Sequence, residues 1–358
     1  MWRSGVYTGT DLEVAGGSVR VDESSKVRRA GTLVVAGSTD ASLRLEDGSL
    51  VPWDAGAFLA PVDTDVQVWV GHRYTESDTE LVPVLMGRVS GVSRRGLSDA
   101  LSLELGDYSA VLAESRFPSP WVTPVGVTVV SEITRIVRDV LPWVEVYDLT
   151  GSSQVTSAAT WERQRWDAVT SLATSMAAEA FFDPLGRLIL RAVPDGSAAP
   201  VWTMDTGTET AIVEDAAMSV DTSKVYNAVS VSSSDPNVSD VTAIVYQTSG
   251  DLRWRAGFQR CRFFASPVLK TREACAAAAA TLLPKSLIYA TRVEPTIAPD
   301  PALEAGDTGT LTLPDRDPET RVLAGFTVPL DAEGQRMPCV LRSGAVDVAS
   351  TDDLREIS

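Results

Sequence analysis

The spacing of hydrophobic positions between residues 161 and 194 predicts a helix followed by a hairpin. Spacings of three and four place one set of apolar side chains on a single stripe: Trp166, Val169, Leu172, Ala173, Met176 and Ala180. Such a stripe indicates an amphipathic helix of about four turns. Glu162 and Asp167 lie near its start, where carboxylates favour the helix dipole.

After the helix, the spacing changes from helical to alternating. Residues 180–182 lead into Asp-Pro-Leu-Gly at residues 183–186, a turn in which Pro fixes φ and Gly accepts a positive φ. Residues 187–191 return as a strand, which Pro194 ends. A helix that packs on its own following hairpin is a small α/β unit, and it is stable only as a layer on something larger.

Residues 1–108 alternate apolar and polar positions in short runs, which predicts an all-β region. The runs are residues 18–22, 31–37, 50–53, 66–70, 80–89 and 101–105. Gly and Pro separate these six or so strands, and this pattern favours a small barrel or sandwich. Residues 72–79 are the polar tip of a hairpin, and residues 107–113 are expected to close the barrel.

Residues 109–195 predict an α/β module. The parts expected ahead of the helix–hairpin unit are a rigid linker at residues 117–121, a helix through residues 129–140, a strand at residues 143–147 and a loop at residues 151–160. Ser131 or Thr128 caps the first of the two helices, and Pro142 ends it.

The rest of the chain predicts a weakly β segment at residues 196–222 and a second β-rich region at residues 223–345. The segment could return a strand to the first barrel, which would make the α/β module an insertion. Residues 270–283 predict a helix, because five consecutive Ala have high helix propensity and let another backbone come close. The strands expected in the second region are residues 225–232, 241–247, 258–264, 287–295, 303–313, 324–330 and 337–342.

Composition and charge narrow the class of protein. The 358 residues are 44% hydrophobic, as in a globular protein of two or three domains. No apolar run predicts a transmembrane helix or a signal peptide, so we expect a soluble chain made in the cytoplasm. The net charge of −17 gives no sign of an electrostatic grip on nucleic acid. It fits an anionic surface or an acidic channel wall past which DNA slides.

Two short basic stretches interrupt this acidic chain, at residues 26–29 and at Arg94 and Arg95. Stretches of this kind are typical of solvated loops. They could instead pair with acidic edges of neighbouring subunits.

No group of residues points to catalysis, and we predict no catalytic, metal or cofactor site. His72 is the only histidine and lacks the partners of a triad or a metal site. Cys261, Cys275 and Cys339 are odd in number and far apart, which argues against a disulfide framework or a zinc site and indicates buried, inert thiols.

Other short signals have ordinary structural interpretations. No carboxylate pair stands out as that of a glycosidase. Residues 306–309 lack the Lys and the helix of a phosphate loop, residues 183–186 are too short for a calcium loop, and residues 237–239 match a sequon without a secretory signal. The nine Trp are scattered, which fits packing, although a sugar-binding platform is the alternative.

The helix–hairpin stretch also carries a resemblance to a known family. Residues 166–173 fit the pattern W-x-A-[IV]-x-x-L-A, and residues 178–194 fit A-E-x-[FY]-F-D-x-x-G-x-L-x-L-R-x-V-P. This segment resembles the tail hub proteins of long-tailed actinobacterial phages, which in turn resemble the baseplate hubs of contractile phages and injection machines. Further similar segments follow in the same order, at residues 19–33, 50–68, 225–229 and 302–307. Lys224 is a departure, since the family more often has Arg or Asn before this Val.

The resemblance implies a mainly β fold with an α/β insert, in which two similar small β-barrel domains and an α/β module form a pseudo-sixfold trimer ring. The implied domains are a first hub barrel at residues 1–108, with 196–222 as a possible return to it, an α/β module at 109–195, a second hub barrel with the Ala-rich helix at 223–345, and a C-terminal tail at 346–358. Three copies would then present six lobes to a sixfold tail tube.

The resemblance also implies a structural, non-enzymatic role in the virion of a siphovirus. The protein would be the tail-tip or baseplate hub, assembled in the host cytoplasm, and would close or gate the DNA channel for ejection. Its implied partners are two further copies of itself, a distal tail or tail tube protein ring, the tape measure protein and a central fibre or spike, while DNA passes without specific binding. The alternative is a receptor- or polysaccharide-binding tail-tip protein.

Overall fold

A computed structural model describes most of the chain. The described residues are 2–3, 6–7, 11–37, 59–73, 79–94, 101–206, 212–220, 225–238, 241–287, 291–314, 316–331 and 336–343. Several predictions lie outside these ranges: the strand at residues 50–53, Arg95, Lys224 and the tail at residues 346–358.

The described residues form twenty-one strands and four helices. The strands are β1 (Trp2–Arg3), β2 (Val6–Tyr7), β3 (Glu13–Asp22), β4 (Arg29–Gly37), β5 (Thr64–Arg73), β6 (Thr79–Arg94), β7 (Leu101–Gly106), β8 (Trp121–Thr123), β9 (Val146–Asp148), β10 (Ala159–Trp161), β11 (Ala178–Phe182), β12 (Leu188–Ala192), β13 (Trp202–Asp205), β14 (Ile212–Val220), β15 (Ala228–Ser233), β16 (Thr242–Tyr246), β17 (Cys261–Ser266), β18 (Thr291–Ile297), β19 (Thr308–Thr312), β20 (Glu319–Pro329) and β21 (Met337–Ser343). The helices are α1 (Tyr108–Glu114), α2 (Val129–Arg138), α3 (Arg165–Ser175) and α4 (Arg272–Leu287).

One sheet joins the two β-rich ends of the chain. Its strands follow the order β14-β18-β21-β20-β3-β4-β7-β6-β5-β1-β2, and β19 connects β13 to β20. The two ends meet where β3 pairs antiparallel with β20, with Val21 opposite Phe326. The mainly β class is therefore confirmed. The strand order is an open path, and over the described residues no sheet closes into a barrel.

The segment at residues 196–222 contributes two strands to this sheet. β13 pairs in parallel with β19, and β14 pairs antiparallel with β18. Both partners belong to the last third of the chain. The domain boundaries given above stay a prediction.

The start of the α/β region differs from the sequence-based expectation. Residues 107–113 are expected to close the first barrel, but Tyr108–Glu114 form α1, with Asp107 as its N-cap. The carboxylate of Asp107 accepts the backbone N–H of Ser109 at 2.9 Å, which is N-cap geometry. Of the two capping candidates for α2, Thr128 is the N-cap, since its Oγ1 accepts the backbone N–H of Ser131 at 3.2 Å.

The central helix–hairpin unit is present, but its helix is shorter than four turns. Helix α3 ends at Ser175, and Ala177 takes a positive φ of 57° that no helix continues. Ala180 therefore lies in β11 and not on the helical stripe. The predicted turn is confirmed: β11 pairs with β12, and Gly186 has a φ of 77°.

Four hydrophobic clusters hold these elements. One fills the α/β module around α2, α3 and the β11–β12 hairpin. Two lie on the large sheet, one among β4–β7 and one among β18–β21. The fourth packs α4 on the sheet β16-β15-β17, where Ala278 and Ala279 are fully buried. Small side chains let the helix approach that sheet closely, as expected from the Ala run.

The three cysteines are free thiols in this fold. Cys275 and Cys339 are buried, and Cys261 is half-buried. No helix in the described part of the chain is both long and apolar enough to span a bilayer.

We predict that Asp107→Ala destabilises the protein by about 2 kcal/mol or more, because it leaves buried donors unsatisfied. Asp107 is fully buried and also accepts the backbone N–H of Arg29 at 2.8 Å. Urea denaturation measures the change. The control is Asp148→Ala, since Asp148 caps an exposed turn and should cost less than about 1 kcal/mol. Equal losses for the two variants would contradict the assignment.

Candidate functional site

Glu179 on β11 lies at the centre of a buried charge cluster where four parts of the chain meet. Its Oε1 accepts Nε of Arg191 at 3.0 Å and lies 3.5 Å from Nη1 of Arg28. Its Oε2 lies 3.4 Å from Nζ of Lys285. These cations come from β12, from the residue before β4 and from α4. The side chain of Glu179 is only 9% exposed, so its charge depends on these partners and not on water.

The turn before β19 is the fourth part of the cluster. The carbonyl oxygen of Ala305 accepts Nη2 of Arg28 at 2.5 Å and Nη2 of Arg191 at 2.7 Å. Both guanidinium groups also lie over the ring of Phe181, at 3.9 and 4.6 Å from its centroid. Each arginine thus contacts a carboxylate, a carbonyl and a ring at once, and this fixes its position.

Gly306 allows this turn to approach the cluster. Its φ is 98°, a conformation that favours glycine. A Cβ atom at this position would meet Arg191 Nη2 at 2.2 Å and Cγ of Pro194 at 2.8 Å. The Gly306-Asp307-Thr308-Gly309 stretch is therefore the turn that leads into β19. A side chain at residue 306 would overlap the guanidinium of Arg191.

Arg29 forms a second arm of the cluster. Its guanidinium donates to the carbonyl of Val84 at 3.0 Å and pairs with Glu304. Its backbone N–H donates to Asp107, which caps α1. Arg29 is 1% exposed. Burial lowers the pKa of its guanidinium, although the charge of Glu304 acts to raise that pKa. This arm ties the first β-rich region to the turn before β19.

Two residues of the basic stretch at residues 26–29 are buried within the chain and not solvated. Arg28 and Arg29 are buried and pair with Glu179 and Glu304 of the same chain. Lys26 is half exposed and pairs with Asp167 at 2.9 Å. For Arg28 and Arg29 the solvated-loop interpretation is wrong, because the carboxylates that pair with this stretch lie about 140 to 280 residues away in sequence, where spacing gives no signal. Pairing with the acidic edge of a neighbouring subunit stays a prediction.

The charges of the cluster hold Glu179 ionised. Burial would raise its pKa, but the charges of Arg28, Lys285 and Arg191 outweigh burial and lower the pKa from 4.5 to about 2. A carboxylate in this state has no proton to donate at neutral pH, and both of its oxygens lie against cations. The arrangement therefore connects parts of the chain through charge.

A cleft of about 870 Å³ opens beside the cluster. Glu179 and Lys285 line one side, and Glu23, Arg342 and Arg262 line others. Arg342 pairs with Glu23 at 2.5 Å and donates to the carbonyl of Pro194 at 2.9 Å. Four of these five charged side chains are thus ion-paired, and Nη1 of Arg262 lies 3.5 Å from Oγ of Ser286.

The remaining candidates for chemistry lie apart from the cluster. His72 is in β5, opposite Glu80. Among the described residues, no group of three or more His, Cys, Asp or Glu side chains is placed to hold a metal ion. The prediction that the chain has no catalytic, metal or cofactor residues stays a prediction. Three parts of the cluster carry a signal in the sequence: the basic stretch at residues 26–29, the motif around residue 179 and the segment 302–307. No sequence pattern marks Lys285.

We predict that Glu179→Gln lowers the free energy of unfolding by about 3 kcal/mol, because it leaves buried cations without a counter-charge. Urea denaturation at neutral pH measures it. The control is Asp167→Asn, which breaks an ion pair whose two side chains are 52% and 57% exposed and should cost less than about 1 kcal/mol. A similar, small effect for both variants would show that Glu179 is not the clamp.

The same cluster predicts a pH dependence. Because folding lowers the pKa of Glu179, its contribution to stability is complete above pH 4.5 and is lost as the pH falls towards about 2. The difference in unfolding free energy between the native protein and Glu179→Gln should therefore shrink from pH 7 to pH 3. A constant difference over this range would be the contrary result, measured by urea titrations at each pH.

No protein-family model matches the sequence, and a search of curated proteins finds no match either. Solved structures do match. The crystal structure of a tail protein from Neisseria meningitidis MC58 aligns with a TM-score of 0.65 at 15% identity, over 93% of each chain. The 43 kDa tail protein of prophage MuSo2 from Shewanella oneidensis gives 0.61 at 12% identity, over 92% of this chain and 94% of that one.

A third similar structure comes from a secretion machine. It is an E. coli component of the type VI secretion system, described as similar to the T4 bacteriophage tail proteins gp27 and gp5. The TM-score is 0.52 at 10% identity, over 95% of this chain and 77% of that one. These likenesses span nearly the whole chain, confirm the resemblance seen in residues 161–194, and show that the chain has the fold of these phage tail proteins and of the secretion component.

Proposed function

We propose that this chain is a structural, non-enzymatic hub protein at the tail tip or baseplate of a phage tail. The observation that carries the proposal is the shared fold, which covers 93% of this chain and 93% of a solved tail protein. The buried charge cluster agrees with such a role, because it fixes the orientation of the parts and offers no reactive group.

We further propose that three copies form a ring that adapts a sixfold tail tube to a threefold tip. Two β-rich regions with separate hydrophobic clusters, one among β4–β7 and one among β18–β21, support this arrangement. Two such lobes from each of three chains would present six lobes to the tube. The domains would then be the two lobes at residues 1–108 and 223–345, with the α/β module at 109–195 between them.

The proposed ring would surround the DNA channel and gate it. Its partners would be the tail tube or distal tail ring above, and the tape measure protein and a central fibre or spike at the axis. The acidic net charge of −17 supports an open channel wall that repels DNA phosphates. Assembly in the host cytoplasm into a siphovirus virion belongs to the same proposal.

We predict that the isolated protein, or the protein within its tail, forms a threefold ring. Mass photometry should give a particle of three times the 38.2 kDa chain mass, and electron microscopy of the tail tip should show threefold symmetry at this layer. Sixfold order around this chain in assembled tails would contradict the proposal. A monomer in solution together with a threefold layer in the tail would support it, since neighbouring rings could then be required for assembly.

A further inference from the structure

A short hairpin within the connection from β16 to β17, closed where Arg255 pairs with Phe258, concentrates positive charge in this acidic chain. Residues 251–262 contain four arginines against one aspartate, within a chain of net charge −17. Two of them, Arg253 and Arg255, are exposed at the tip. No carboxylate of the described residues forms an ion pair with either. Charges arranged in this way favour an anionic partner.

Two buried amide side chains hold this hairpin rigid. Asn227 is fully buried and donates from Nδ2 to the carbonyls of Leu252 at 3.1 Å and Phe258 at 2.9 Å, while its Oδ1 accepts the N–H of Arg260 at 2.9 Å. Gln247, which is 1% exposed, donates from Nε2 to the carbonyl of Ser249 at 3.0 Å, and its backbone carbonyl accepts the N–H of Trp254 at 2.7 Å. The backbone that carries the arginines is therefore held in one conformation, which lowers the entropic cost of binding.

The strand that follows the hairpin is the edge of its sheet. The described strands run β16-β15-β17, so β17 has one paired side and one open side. The carbonyls of Arg260 and Ser266 accept hydrogen bonds from the β15 side. Because pairing alternates along a strand, the N–H and C=O groups of Phe263 and Ala265 point to the open side. An extended peptide could pair there as a further strand.

The outer face of this sheet exposes apolar side chains next to the open edge. Phe263 on β17 and Ile244 on β16 lie in one row across Ser230, and Phe263 is 79% exposed. Helix α4 covers the other face. Charged residues on a strand edge can serve to prevent aggregation, but an exposed Phe beside them promotes it. Protection against aggregation therefore does not explain this surface. Arginine and aromatic residues are both enriched at protein–protein interfaces.

We propose that the open edge of β17 and the arginine hairpin together bind an extended, acidic segment of a partner protein. The backbone of that segment pairs with Phe263 and Ala265. Its apolar side chains pack on Phe263, and its carboxylates pair with Arg253 and Arg255. The surface lies on a single chain, so this inference goes beyond the hub proposal and does not depend on the trimer.

The test is fluorescence anisotropy with a labelled octapeptide of alternating Glu and Val added to the full chain. We expect saturable binding that weakens as salt is added. Arg253→Glu with Arg255→Glu should weaken it by about tenfold or more, and Phe263→Ala by about fivefold. The matched control is Arg116→Glu with Arg163→Glu, which reverses two exposed arginines elsewhere and should leave binding unchanged.

Thermal unfolding should be the same for all three variants, because the altered side chains are exposed. An N-methylated form of the octapeptide, which cannot pair with an edge strand, should not bind. The proposal is overturned if the native protein fails to bind the octapeptide, if the N-methylated form binds equally well, or if both double variants weaken binding alike. Tighter binding of a single-stranded DNA oligonucleotide than of the octapeptide would also overturn it, in favour of a nucleic-acid surface.

Discussion

The structure depends on one buried carboxylate that three cations neutralise. An isolated charge with the burial of Glu179 would be strongly unfavourable, and so would the charge of Arg28, which is 6% exposed, without its carboxylate. Arg28, Arg191 and Lys285 come from different elements of the chain. Holding all three within reach of the same carboxylate restricts the relative orientation of those elements. The cluster therefore adds a directional constraint to the apolar packing.

A second constraint acts at the same junction. Arg29 joins β4 to the turn before β19, and the pairing of β3 with β20 joins the two β-rich ends along a common sheet. The backbone pairing sets the register between the ends, and the charge cluster sets how the α/β module lies on them. Under the proposed function, a hub that transmits force from a tip to a tube needs this kind of fixed geometry.

Much of the fold follows from local pattern. The Ala run predicted α4, and alternation predicted β5, β20 and β21, because a helix stripe and a half-buried strand leave distinct periods in the sequence. The failures have local causes. Asp107 caps α1 in a segment that was expected to close the barrel, and Ala177 ends α3 early with a left-handed residue. The charge cluster could not be predicted, since Arg28 and Glu179 are 151 residues apart and periodicity carries no information over that distance.

The central claim is that Glu179 stabilises the fold through direct coupling to its cations. A double-mutant cycle of Glu179→Gln and Arg28→Met, measured by urea denaturation at neutral pH, isolates that coupling. The account predicts an interaction energy of about 2 kcal/mol, as for groups in one buried network. An interaction energy below about 0.5 kcal/mol would mean that the two residues contribute independently, and it would contradict the account.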